Sequence, residues 1–306
     1  NSGRAMTSLA AIVVTGSSGL VGRAFASSLN GSAQPMIAFR RSMFGQPEGM
    51  AALEGSAAIV HLAGASLVER RWTPSRKAEL VSSRVDLTTQ LVSMLSSLKV
   101  KPRVLVCASA VGIYGDCGDV VLTEQSAPGI ASDRGAEFLA DLCVKWEQAA
   151  MRAEALGIRV VCARFGAILS KQGGALAKML LPFQMGLGGP LGSGRQWMSW
   201  IHIDDAVAAL RFAIAREELN GAVNVVAPSA VSQHGFATAL GRSLSRPAFM
   251  PTPAFALRAI FGELAPATLL ASQNVRPEAL SSLGFTWKFQ RLGDALGDLV
   301  SSSVTR

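Results

Sequence analysis

Apolar positions in the first half of the chain fall in short, β-branched runs, each followed by a longer stretch in which they recur at helical spacing. The runs at residues 10–14, 36–39, 58–62, 104–108 and 159–163 are too short for helices and too continuous for half-exposed strands. They predict strands buried on both faces. Residues 20–29, 72–98 and 137–156 predict the intervening helices. Thr73 and Pro74 make a start signal for the second, a hydroxyl cap followed by a residue that has no N–H to leave unpaired. Gly157 closes the third. This alternation predicts an α/β fold with a doubly wound parallel sheet.

Beyond Gly166 the pattern changes. Residues 170–199 are rich in glycine and read as one helix with flanking loops. Residues 206–216 predict a helix returning to the sheet, and 222–226 a last strand. From Pro228 onward, Pro247, Pro251, Pro253, Pro266 and Pro277 punctuate short helices. The predicted organisation is a dinucleotide-type domain over residues 9–169 and 200–227. A smaller, mainly helical cap domain over 170–199 and 228–306 would lie at the carboxyl edge of the sheet, where such folds hold ligands.

With 49% hydrophobic and 16% charged residues among 306, the composition excludes a disordered chain. No apolar run is long enough to span a bilayer. The nearest candidate, residues 173–192, is interrupted by Lys178, Pro182 and several glycines. The chain starts at Asn1 with small, hydroxylated, weakly basic residues and has no acidic residue before Glu48, which fits an artificial leader or the stub of a trimmed organellar presequence. Cys107, Cys117, Cys143 and Cys162 form no CxxC pair, and three histidines give little basis for a metal site. The expectation is a soluble protein of a reducing compartment: plastid stroma or mitochondrial matrix in a eukaryote, cytoplasm in a bacterium. The net charge of +8 calls for an anionic partner, such as a phosphorylated cofactor. Because it is spread along the chain, without a basic block interleaved with aromatics, it argues against nucleic acid, and RNA binding stays a third reading.

The sharpest motif is TGSSGLVG at residues 15–22, directly after the first strand and opening the first helix. Gly16 would allow the tight turn, Gly19 the close approach of a pyrophosphate, and Gly22 close packing of helix on sheet. The helix N-terminus would then present Ser17, Ser18, Leu20 and Val21 amides, with their positive dipole end, to the diphosphate. The second strand ends in Arg40 and Arg41 with no carboxylate beside them. A ribose 2′-hydroxyl would call for Asp or Glu there, whereas guanidiniums suit the 2′-phosphate of NADP(H).

With these residues in place the chain resembles the extended short-chain dehydrogenase/reductases, a Rossmann superfamily. HLAG at 61–64 resembles its segment along the cofactor, which implies contacts from Leu62, Ala63 and Gly64. SAVGIYG at 109–115 resembles the strand-end motif of the active-site serine, and WIHIDD at 200–205 its late signature. Through LPF at 181–183, GLGGP at 186–190, GSGRQ at 192–196 and a C-terminal set from Asn224 to Phe285, the chain is similar to the atypical YfcH-like "epimerase family" branch. The resemblance runs from residue 10 to about 296 and implies an NADP(H)-binding domain with a C-terminal domain of undefined role.

Catalysis in that superfamily uses a Tyr with a Lys four residues later. The single tyrosine here, Tyr114, has Gly118 at that spacing. Aligning Glu147 with the end of the family's helix motif puts Leu139 at the Tyr position and Cys143 at the Lys position, so the usual dyad is missing. The serine position falls on Ala110, next to Ser109. Ser109 and Tyr114 are the remaining catalytic candidates, Ser109 also as a cofactor contact. Lys145 is turned to another helix face. His202 and Asp204 are expected to tie a strand to the following helix, and Asp205 to cap it. Two functions follow. One is an NADP(H)-dependent oxidoreductase or epimerase with a nonstandard proton donor and an unknown small-molecule substrate. The other is a non-catalytic NADP(H)-binding scaffold, assembly factor or accessory subunit with a protein partner.

Overall fold

The computed structural model describes residues 10–129 and 134–301. The leader reading and the outer domain limits at residues 9 and 306 fall outside them. Six parallel strands form the central sheet: β1 (Ile12–Thr15), β2 (Met36–Phe39), β3 (Ala58–His61), β4 (Val104–Ala110), β5 (Arg159–Phe165) and β6 (Gly221–Val225). Their order is β2-β1-β3-β4-β5-β6. Strand order reverses between β1 and β3, which makes the carboxyl ends of these strands the natural ligand crevice. β1 and β3 are buried throughout, and β4 and β5 at all but one residue each. That is why the sequence shows unbroken apolar runs there rather than alternation.

Helix α1 (Leu20–Ser28) packs with α7 (Ile203–Ala215) on one face of the sheet; α4 (Leu87–Ser96) packs with α5 (Arg134–Met151) on the other. A short α2 (Pro47–Leu53), not predicted, joins β2 to β3. The single helix expected over residues 72–98 is instead α3 (Pro74–Val81), a π-helical turn (Ser82–Asp86) and α4. It starts where expected: Thr73 Oγ1 accepts the Arg76 amide at 3.2 Å. The extra residue of the π turn rotates Ser83 and Arg84 inward, where both are buried. α5 passes into a 3-10 turn (Arg152–Leu156) that ends at Gly157, as read from the sequence.

The cap contributes α6 (Gly174–Gln184), α8 (Gln233–Ser243), α9 (Ala254–Phe261) and α11 (Leu292–Ser301), while α10 (Glu278–Ser282) lies against β6 of the main sheet. Leu176, Phe183, Trp200, Phe236, Leu240 and Leu296 form the core of the cap. A short ladder ties it to the Rossmann part, pairing Val121–Leu122 with Asn274–Val275; two others run within one part each, Ala167–Leu169 with Trp200–His202 in the Rossmann part and Trp197–Met198 with Val231–Ser232 in the cap. Leu280, Phe285 and Trp287, expected in the cap, pack instead into the core of the main sheet. Asp205 draws this return segment in. Its carboxylate accepts the Lys288 amide at 2.7 Å and the Phe289 amide at 2.9 Å, so it does not cap α7 as expected. The cap of α7 is His202, whose Nδ1 accepts the Asp204 amide at 3.1 Å.

Candidate functional site

At the carboxyl edge of the sheet lies a cleft of two lobes, of about 650 and 820 Å3, that meet over Gly16, Ser18, Gly64 and Ser66. The loop between β1 and α1 forms their common floor. Gly16 holds φ +68°, and a Cβ there would stand 2.7 Å from the Leu62 carbonyl, so the loop abuts the end of β3. Gly22 has a different role from the expected one. Its missing Cβ makes room for the loop itself, since a side chain would sit 2.3 Å from Gly16 O and 2.7 Å from Ser17 Cα. Gly19 opens α1 with no side-chain cap, so the amides of Leu20, Val21 and Gly22 have no partner within the helix. No acidic residue offsets the positive end of the helix in its first turn. This cradle fits a diphosphate.

The smaller lobe runs from the loop to the end of β2. Phe39, Phe44 and Leu87 supply apolar wall, and Arg40, Arg41, Arg70 and Arg76 supply charge against Glu69 and Glu79. Arg76 bonds Glu79 at 2.7 Å and also donates to Ser66 O. The Arg76 hydrogen bond, with the nearby Arg76, Arg70 and Arg41 charges, holds the Glu79 carboxyl below its usual range. Four guanidiniums against two carboxylates leave this lobe net positive. Arg84 fastens the loop after β3 from behind, its Nη2 donating to Ala65 O at 2.9 Å; burial lowers its pKa to about 10.

The larger lobe passes along α1 and the ends of β4 and β5 to a wall formed by the cap. Ala108, Ala110 and Phe165 face it, as does Leu139 from α5. Lys178 of α6 spans its mouth, Nζ donating to Val68 O at 3.2 Å.

Of the residues read from the sequence, Gly16, Ser17, Ser18, Gly19, Leu20, Val21, Arg40, Arg41, Leu62, Ala63 and Gly64 all line one lobe or the other. Ser109 and Tyr114 line neither. Successive strand residues point to opposite faces, so Ser109 turns away from the lobe that Ala108 and Ala110 face. Its hydroxyl donates to Glu147 Oε1 at 2.6 Å. Glu147 also receives Arg164 Nε and Nη2, both at 2.8 Å. Arg164 Nη1 donates at 2.8 Å to the Tyr114 hydroxyl, which donates in turn to Asn224 Oδ1 at 2.8 Å. Burial raises the Tyr114 pKa, Arg164 and Asn224 opposing it only in part. A tyrosine so enclosed does not reach the cleft. Cys143 is buried behind it, with burial pushing its pKa up to about 12, and Lys145 pairs with Asp141 on the exposed side of α5. The sequence reading missed Arg70 and Arg76 in the smaller lobe, although Arg70-Arg71 repeats the doublet of Arg40-Arg41. It also missed Gln233 and Gln273 in the larger one.

Beneath the floor, His61 Nδ1 lies 2.7 Å from Thr15 Oγ1 and its Nε2 lies 2.9 Å from Thr88 Oγ1. The Ala63 amide donates to Thr15 Oγ1 at 3.2 Å, so this chain of bonds fixes the end of β3 under the cleft. Burial lowers the His61 pKa to about 4 from 6.5. The ring is neutral when folded and protonates more readily unfolded. Its contribution to stability is therefore complete above pH 6.5 and is lost as pH falls towards 4, by on the order of 3 kcal/mol. Burial lowers His202 as well and adds a loss of the same sign. Urea denaturation between pH 7 and 4.5 should show this decline, and His61→Gln should flatten it. An undiminished slope in the variant would remove His61 as its source.

Residues 12–226 match the NAD dependent epimerase/dehydratase family, and residues 252–299 match a domain of unknown function, DUF1731. An epimerase family protein of Mycobacterium bovis is 40% identical over 299 residues, covering 94% of this chain and 97% of that one. A chloroplastic epimerase family protein of Arabidopsis thaliana is 41% identical over 246 residues, covering 80% of this chain and 68% of its own. The crystal structure of the human epimerase family protein SDR39U1 with NADPH superposes with a TM-score of 0.87. It is 32% identical and covers 95% of this chain and 99% of that one.

Proposed function

The chain belongs to the NAD dependent epimerase/dehydratase family, and on that premise we propose that it binds NADP(H) along the two-lobed cleft and acts as an oxidoreductase without a Tyr–Lys dyad. The observation that carries the cofactor reading is an uncapped helix N-terminus beside an arginine-rimmed lobe. The amides of Leu20 and Val21 would hold the diphosphate, and Arg40 and Arg41 the 2′-phosphate. Ala63 and Gly64 would line the adenosine side, and Leu62 the path between the lobes. The human relative solved with NADPH supports the same assignment.

Hydrogen bonds to charged groups contribute about 1.5–3 kcal/mol each, so replacing both Arg40 and Arg41 by Ala should weaken NADPH roughly 100-fold or more. NADH binding should change less than about threefold, because it lacks the phosphate those residues hold. Competitive titration of both cofactors measures this, and equal losses for the two would refute the 2′-phosphate assignment.

Bound nicotinamide supplies hydride donation or acceptance. In our reading the chain's own residues shape the site and exclude water, and none serves as the family's tyrosine. Leu139, at the tyrosine position, faces the cleft with a side chain that cannot give a proton, and Cys143, at the lysine position, is buried. Ser109 and Tyr114 act as positioning residues through Glu147 and Arg164, holding the ends of β4 and β5 in place. Leu139 and Cys143 also favour the second reading, a cofactor-binding subunit with no turnover. NADPH consumption across a panel of carbonyl compounds separates the two, turnover that survives Tyr114→Phe supporting the first.

A further inference from the structure

We infer that the larger lobe takes an uncharged, largely apolar carbonyl compound rather than a sugar nucleotide. The inference uses the cofactor reading only to decide which part of the lobe the nicotinamide fills, the part over Ala108 and Ala110. What remains lies beyond Gly166, between Phe165, Trp197, Met198 and Leu269.

Charge is the first argument. Among the described residues that line the lobe, the ionisable side chains are Arg23, Glu69 and Lys178. Arg23 is turned to the phosphate loop, where it donates to Ser18 O. Glu69 belongs equally to the arginine-rimmed lobe. Lys178 is exposed at the mouth and donates to Val68 O. A nucleoside diphosphate in the inner part would leave water for a wall with no cation to receive it. Unpaired charges are too costly to bury in that way.

Of the neutral polar side chains lining the space, Gln196, Ser199 and Thr268 donate to backbone carbonyls, and two side-chain amides, Gln233 and Gln273, each keep one group for a ligand. Gln233 is 3% exposed, and its Oε1 accepts the Leu191 amide at 2.7 Å, which leaves the Nε2 hydrogens to meet an acceptor in the lobe. Gln273 is arranged the other way round. Its Nε2 donates to Gly115 O at 3.0 Å, leaving Oε1 as an acceptor. A few placed neutral hydrogen-bonding groups on apolar walls are how proteins orient apolar ligands. A carbonyl oxygen fits the Gln233 donor.

The entrance has the same character. Ala175 and Lys178 of α6 line the lobe. Residues three, four and seven further on share that helix face, so the face continues outward through Leu181 and Met185. These two are 62% and 57% exposed, with Val68 across the mouth at 39%. No Asp or Glu occurs between residues 171 and 203. An approach bordered by exposed apolar side chains suits a lipophilic molecule.

The test is calorimetric titration of the full chain, with and without saturating NADP+, so that no turnover intervenes. The probes are 2,3-dimethyl-1,4-naphthoquinone, whose substituted ring cannot alkylate thiols, and UDP-glucose. The quinone is expected to bind at least tenfold more tightly than UDP-glucose. Met198→Lys and Gln233→Glu should each weaken it about tenfold while leaving NADP+ affinity unchanged, and Met198→Leu should preserve it. Gln233→Glu keeps the acceptor for Leu191 and puts a charged carboxylate oxygen in place of the donors, which a carbonyl oxygen cannot meet. Tighter binding of UDP-glucose, no quinone binding by the NADP+-loaded protein, or quinone binding indifferent to both substitutions would overturn the inference. If NADP+ itself does not bind, the cofactor reading fails, and the titration of the cofactor-free protein still decides this one.

Discussion

Glu147→Ala is expected to destabilise the protein by about 3–5 kcal/mol, the range for breaking a buried ion pair from one side. Arg164 and Glu147 side chains are 8% and 12% exposed. Burial alone would lower the Arg164 pKa; the Glu147 hydrogen bonds and charge more than offset this and raise it above its ordinary value. Removing the carboxylate leaves a desolvated guanidinium bonded only to the Tyr114 hydroxyl, and leaves the Ser109 hydroxyl without its acceptor. Glu147→Gln, which keeps the shape and one acceptor, should fall between. The network joins the carboxyl ends of β4 and β5 to Asn224 on β6, so the loss should also loosen the cleft floor and weaken NADPH binding. Urea denaturation read by tryptophan fluorescence measures the effect. A change below about 1 kcal/mol would show that the pair is not a determinant of the fold.

Gly22→Ala should abolish measurable NADPH binding, weakening it by about 100-fold or more. The added Cβ would stand 2.3 Å from Gly16 O and 2.7 Å from Ser17 Cα, and both are backbone atoms that no rotamer change can move. The loop must shift, and with it the amides that hold the diphosphate. Two displaced charge-assisted bonds at about 1.5 kcal/mol each already account for the 100-fold loss. Gly297→Ala is the control. In α11 nothing lies within 4 Å of the new Cβ, so binding should stay unchanged and stability should rise by up to about 1 kcal/mol. Binding that survives Gly22→Ala would mean that the loop is not the anchor.

The strands and the phosphate loop were legible because their physics is local. A strand buried on both faces must be apolar at successive positions, as β1, β3, β4 and β5 are. A loop that must turn sharply and leave helix amides bare writes its glycines at fixed spacing. Ser109 and Tyr114 were misplaced for a different reason. Ser109 is one residue from the position the resemblance indicated, and in a strand one residue reverses the face. Ala110, which occupies that position, is the residue that lines the cleft.

The far wall was legible only as resemblance: Gln196 and Gln273 stand among the residues that resemble the family, which gave them no site role, and Gln233 carried no signal. Gln233 and Gln273 lie forty residues apart and come to line one lobe only through the folding of the cap, and side-chain amides follow no spacing that marks a site. The π turn at Ser82–Asp86 was hidden because its residues keep a helical pattern while shifting its phase. The return of Phe285 and Trp287 to the main core depends on Asp205, 80 or more residues earlier, taking two amides that no local rule assigns to it.

Calorimetric titration of the cofactor-stripped wild-type protein tests the central claim most directly. One NADPH should bind per chain, with an affinity at least tenfold above that for NADH. No saturable heat with NADPH, or equal affinity for the two nucleotides, would contradict the assignment of the cleft.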